Sequence, residues 1–258
     1  MLFFIGQILP YIATAVFLIG TCWQVAAWLR VPVPFELTVP AIGTRQNRIL
    51  TLVRELFFFG SLRRGDKQLW LWAWLLHLSL VLIIIGHIAG IYYLTQQFTF
   101  VGLSAEASSR LSALLGTICG TLFFVALVVL LYRRMAIAEI KRLSDPADYF
   151  ILYLLIAIVI TGMHMRVTSH EVDLPAVRAY LGGLLTLQPV PIPRDWMFIS
   201  HFTLVNILLI YFPFSKLMHM VGGLVNQMII TQPPPVYPTP SGFKRSISFE
   251  KEAAGNED

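Results

Sequence analysis

The residues best suited to chemistry in this 258-residue chain are six histidines: His77, His87, His164, His170, His201 and His219. Imidazole is a good axial ligand for haem iron. Five of the six lie within or at the ends of long apolar runs, where an ionisable side chain is costly and marks a candidate functional site. His77 and His87 are ten residues apart, about 15 Å along a helix and roughly 80° around it, so both can address one broad face. His201 and His219 are eighteen apart, five full turns, so they point the same way about 27 Å from each other.

The elements that must carry these residues are membrane helices. Hydrophobic residues make up 57% of the chain and charged residues 13%, where a soluble domain carries about a quarter charged. Runs of about 18 or more apolar residues occupy 3–29, 70–94, 112–132, 148–165 and 197–222. The expected fold is therefore an all-α membrane protein of five transmembrane helices, forming one membrane domain over 1–230. The N-terminal run has no basic segment before it and no small-residue cleavage site, and reads as a retained first helix. Cys22 and Cys119 both sit inside apolar runs, and no C-x-x-C or C-x-x-C-H occurs. Zinc, disulfide and covalently attached haem thus have no support, and the two thiols read as small buried hydrophobes.

All but four of the nineteen Lys and Arg residues fall in 30–69, in 133–147 or from Lys216 onward; the exceptions are Arg110, Arg166, Arg178 and Arg194. The positive-inside rule places the N-terminus outside and the C-terminus in the cytoplasm of the inner membrane. As topology signals on a lipid bilayer, these charges call for no nucleic-acid partner. Residues 30–44 are Pro-rich and extended. Residues 45–64 alternate as an amphipathic helix for the cytoplasmic interface, a lipid anchor or a docking surface for a cytoplasmic partner. The stretch 176–187 could cover the outer mouth. The Pro-rich tail 231–258 has no core of its own.

With this topology the second and fifth spans run antiparallel. His77 and His219 lie near the inside, and His87 and His201 nearer the outside. The pairing His77–His219 and His87–His201 would hold two b-type haems stacked across the membrane. The axial separations differ by about 12 Å, which helix tilt, inclined ligation axes and a distortion at Pro213 must absorb. Gly86 either leaves room for a flat macrocycle beside His87 or serves close helix packing. His164, followed by Arg166, has three open readings: a replacement ligand, a quinone partner near the outer haem, or a satisfied interfacial histidine. His170 reads as solvated.

The segments RELFFFGSLRRGDKQLWLWAWLLHLSLVLIIIGH and HFTLVNILLIYFPFSKLMH resemble the nitrate reductase gamma subunit family, five-helix diheme cytochromes b. They look closer still to one branch, the cytochrome b (DsrM-type) subunits of the sulfite-reductase-linked DsrMKJOP complex. The resemblance covers roughly residues 1–225. It implies that His77 and His219 match the inner-haem ligands and His87 and His201 the outer ones, with two haem b as cofactors and a quinone, of menaquinone type, beside the outer haem. It further implies a cytoplasmic iron–sulfur partner (DsrK-like), together with a periplasmic multihaem cytochrome c, a periplasmic ferredoxin-like protein and a second membrane subunit. The expected work is electron transfer between a quinone pool and the iron–sulfur partner, in either direction. The rival reading is a haem-free anchor or a small transporter. Asp and Glu are absent from the interiors of all five spans, so an ion relay has few parts.

Overall fold

The computed structural model describes residues 1–30, 45–168 and 173–230. The expected loop over 30–44 (beyond Arg30 itself), His170 and the tail 231–258 lie outside the described residues.

Among the described residues five helices are long and apolar enough to cross a membrane: Phe4–Arg30, Lys67–Tyr93, Ala105–Ala136, Pro146–Val167 and Trp196–Phe214. No strand occurs among the described residues. The first span opens as a π-helical turn, Phe4–Ile8, and continues as α1, Leu9–Arg30. Two short helices follow, α2 (Arg45–Phe58) and α3 (Gly60–Gly65). The second and third spans are α4 (Lys67–Tyr93) and α5 (Ala105–Ala136). One turn of helix, α6 (Ala138–Arg142), leads to α7 (Pro146–Val167). Then come α8 (Leu174–Leu185), α9 (Trp196–Tyr211) and α10 (His219–Ile230).

Helix starts follow local chemistry. The Asp66 side chain accepts from Leu69 N–H to cap α4, Ser104 does the same for α5, and Asp195 for α9. At α7, Asp145 and Asp148 form a reciprocal capping box on either side of Pro146, which fits the first turn because it lacks an N–H.

The spans pack as an open ring. α4 lies on α5, α5 on α7, α7 on α9 and α9 on α1, whereas α4 and α9 share no packed interface. One core cluster, Leu76, Phe123, Ala126, Leu127 and Val159, joins α4, α5 and α7. A second, Val177, Tyr180, Ile192 and Phe198, seats α8 on α9. Tyr180 donates to Gly6 O and Tyr11 to Leu184 O, so α8 is tied across one end of the ring to the first span. Gly6 must be small there, since a Cβ would come within 2.8 Å of Ile192.

Two elements differ from the sequence reading. The expected fifth span, 197–222, is helical only to Tyr211. Pro213 then enforces a 3-10 turn, Ser215 is extended, and a second 3-10 turn, Lys216–Met218, precedes α10. Pro213 has no N–H to continue the helix. The single helix expected over 45–64 is two helices, broken at Phe59, whose φ of 48° and ψ of 49° are left-handed. That conformation costs about 1–3 kcal/mol for a bulky side chain.

The basic end of the bundle is clamped by two neighbouring arginines on α5. Arg133 pairs with Asp66 at 2.6 Å, and Arg134 with Asp148 at 2.7 Å. Asp148, 4% exposed, also receives Lys216 Nζ at 2.7 Å. The first turns of α4 and α7 and the turn before α10 are thereby joined. The Leu69 N–H, with the Arg133 guanidinium, holds the Asp66 carboxyl below the usual carboxylate range. A depressed carboxylate pKa contributes stability that is present above the ordinary carboxylate pKa and lost as pH falls through the lowered one. Replacing Asp148 with Asn leaves two cations without their shared anion. Thermal unfolding in detergent should show a loss of about 2 kcal/mol, and an unchanged midpoint would contradict the clamp.

Candidate functional site

Two histidine pairs span the gap between α4 and the α9–α10 segment. The rings of His87 and His201 face each other with centroids 6.3 Å apart and planes 4° from parallel. Those of His77 and His219 are 5.8 Å apart with planes at 88°. The break after Tyr211 is what makes the second pairing geometrically possible. An unbroken α9 would carry His219 about 27 Å from His201, well past His77.

Each ring is held through Nδ1. His77 Nδ1 lies 2.7 Å from Ala73 O, His87 Nδ1 2.7 Å from Ile83 O, and His219 Nδ1 2.7 Å from Lys216 O. His201 Nδ1 reaches across to α7, 3.0 Å from Ile158 O and 3.0 Å from Thr161 Oγ1. A carbonyl oxygen can only accept, so in all four rings Nδ1 carries the proton and Nε2 keeps its lone pair. This is the arrangement by which an outer hydrogen bond fixes the tautomer and aim of a metal-binding histidine.

The residues present fit a haem. A metal held on opposite faces by two imidazole nitrogens at about 2 Å each leaves the ring centroids about 6 Å apart, the separation seen in both pairs. Gly86, beside His87, has no atom within 4 Å of where its Cβ would lie. Among the described residues no neighbouring helix packs on it, and the space is open. Groups of three or more His, Cys, Asp or Glu that could hold a bare metal ion are absent among the described residues, so these histidines meet as pairs.

Two residues that the sequence reading missed support His201. The Thr161 hydroxyl, engaged with Ala157 O and Ile158 O, meets its Nδ1. Gly162 lets the ring approach α7, since a Cβ there would stand 3.1 Å from His201 Cε1. A Thr-Gly step inside an apolar helix was the available signal. At the basic end, Phe59 lies edge-to-face with His77, 5.1 Å between centroids.

His164, at the far end of α7, has Nδ1 3.2 Å from Thr168 Oγ1 and its ring 6.0 Å from Trp196. Arg166 turns toward α5, donating to Ser112 O at 3.3 Å. It fills the space left by Gly116, where a Cβ would be 2.6 Å from the guanidinium carbon.

With this geometry in place, comparison with known proteins decides the family. The model of the nitrate reductase gamma subunit family matches residues 61–237, which include both histidine pairs. The chain belongs to that family. It is 32% identical to the Hdr-like menaquinol oxidoreductase cytochrome b-like subunit of Archaeoglobus fulgidus, over 84% of this chain and 76% of the relative. The subunit of the same description from Archaeoglobus profundus is 30% identical, over 85% and 76%. The nitrate reductase gamma chain of Bacillus subtilis is 25% identical over 60% of this chain and 72% of its own. Together the family match and the two archaeal relatives support a DsrM-like cytochrome b and a multi-pass integral membrane protein.

Outer hydrogen bonds to metal-binding histidines are worth about 10–100-fold in affinity. Thr161→Val should therefore weaken haem retention at the His87–His201 pair by roughly tenfold, read as haem per chain after dilution in detergent. Retention equal to that of the unaltered protein would mean that Thr161 does not position the ring.

Proposed function

We propose that the chain is a diheme b-type cytochrome that carries electrons across the inner membrane between a quinol pool and a cytoplasmic iron–sulfur partner. The observation that carries this reading is the opposition of four imidazoles, all with Nε2 bare, in two pairs across an unpacked gap. His77 and His219 hold the inner haem, and His87 and His201 the outer one. Bound there, the two haems supply reversible one-electron chemistry at a potential tuned by burial and hydrogen bonding.

The protein's part is to place and insulate. α5 and α7 set the distance between α4 and α9, and the carbonyls of Ala73, Ile83, Ile158 and Lys216 orient the ligands. The distribution of basic residues supports an N-terminus outside and a C-terminus in the cytoplasm, with the His87–His201 pair near the outer face. Quinol oxidation beside it releases protons outside. Each electron crossing to the inner side is coupled to the membrane potential at about 2.3 kcal/mol per 100 mV.

His164 is the candidate proton acceptor for a quinol at the outer end, with Arg166 on the same turn of α7. The names of the two archaeal relatives support menaquinol as the quinone and a heterodisulfide-reductase-like complex as the setting. In that setting the partners are an iron–sulfur subunit of the DsrK type, a periplasmic multihaem cytochrome c, a periplasmic ferredoxin-like protein and a second membrane subunit, as in sulfite-reductase-linked complexes.

The purified chain should show a b-type α-band in a reduced-minus-oxidised spectrum and two haems per chain by pyridine haemochrome. His87→Ala should lose one haem and quinol oxidation while the other haem persists. A spectrum with no α-band would leave a haem-free membrane anchor or a small transporter subunit.

A further inference from the structure

We infer that Phe59 is a positioning residue for His77, its ring sealing the cytoplasmic side of the inner haem ligand. The inference rests on the diheme reading above. Phe59 sits in the left-handed region, at φ 48° and ψ 49°, between α2 and α3. A glycine adopts that conformation without penalty, and a glycine stands at the very next position. Yet the left-handed residue is the phenylalanine. Gly60 is instead the buried one, in a place where a Cβ would meet Glu55 and Arg54 at 3.0–3.1 Å. A bulky residue kept in an unfavourable conformation points to a use for its side chain, and this one meets a proposed haem ligand. The Phe59 and His77 rings are 5.1 Å apart at 82°.

The rest of the elbow holds the ring in place. The indole of Trp70 donates to Phe58 O at 2.8 Å, and that of Trp74 to Phe57 O at 3.0 Å. These carbonyls end α2 and have no helical partner of their own. The Arg63 guanidinium lies 5.0 Å over the Trp70 ring. Glu55 closes the turn from the other side, accepting from Ser61 N–H at 2.7 Å and from Arg64 at 3.2 Å. The elbow is thus latched onto the same helix that carries His77.

Oxidised haem carries one more positive charge than reduced haem, and shielding from water disfavours the more charged form. With the Phe59 ring in place the inner haem is easier to reduce. Without it, water reaches the His77 side and the inner potential falls.

The test is a potentiometric optical titration of the full chain purified in detergent. The inner haem is identified as the one surviving in His87→Ala. The unaltered protein is measured first, and two titrating haems there are required by the diheme reading itself. If they are missing, that reading fails irrespective of Phe59. Given two haems, Phe59→Ala and Phe59→Gly should both lower the midpoint of the inner haem, or release that haem alone, while leaving the outer midpoint unmoved. Phe59→Tyr should restore the original value. Phe59→Gly also removes the backbone penalty, so a fall in inner potential without a fall in thermal stability separates the ring's role from a structural one. Inner midpoints unchanged in both variants, or both haems moving together, would overturn the assignment.

Discussion

An imidazole can present a bare nitrogen from a fixed direction only if its other nitrogen is committed elsewhere, and that requirement shapes much of this protein. In the apolar interior the only abundant acceptors are backbone carbonyls, nearly all of them engaged in helices. His77 and His87 each use a carbonyl one turn back on their own helix, Ala73 O and Ile83 O respectively. His219 uses the carbonyl of Lys216 in a 3-10 turn. His201 crosses to Ile158 on α7, where Thr161 and the missing side chain of Gly162 make the approach possible. Four rings in one tautomer, reached in three ways, tie the site to the architecture.

The open ring of helices follows from the same need. Were α4 packed directly on α9, the paired imidazoles could not stand about 6 Å apart without meeting backbone or apolar side chains. α5 and α7 intervene, so that the distance between the histidine-bearing helices is set by well-packed neighbours such as Phe123, Ala126 and Leu127. At the basic end the ion pairs of Arg133 and Arg134 fix the starts of α4 and α7 and, through Lys216, the turn that delivers His219. The electrostatic clamp and the inner histidine pair occupy the same few residues, because Lys216 gives its amine to Asp148 and its carbonyl to His219.

Much of this was legible in the sequence, because membrane helices announce themselves by length and because a histidine in an apolar run has few bland explanations. The span positions came from the first of these facts, and the depth matching of the four histidines from span order together with the distribution of basic residues. The mismatch of about 12 Å between the two spacings was a true signal of irregularity in the fifth span. A helix-counting argument sees Pro213 but has no means of telling a bend from a complete break with two 3-10 turns. The left-handed Phe59 left no trace, since nothing in its residue type asks for that conformation and the adjacent Gly60 is the residue that would. Asp148 merely opens the fourth apolar run in the sequence, and only its three-dimensional neighbours, Arg134 and Lys216, make it a buried hub. Thr161 and Gly162 act on a ring some forty positions away, a relation no local pattern records.

An experimental density map of the purified chain at side-chain resolution addresses the central claim most directly, because it looks into the gap between α4 and the α9–α10 segment. The account predicts two flat macrocycles there, one bonded through Nε2 of His77 and His219, the other through Nε2 of His87 and His201. A gap occupied by lipid, or closed by the two helices coming together, would contradict it.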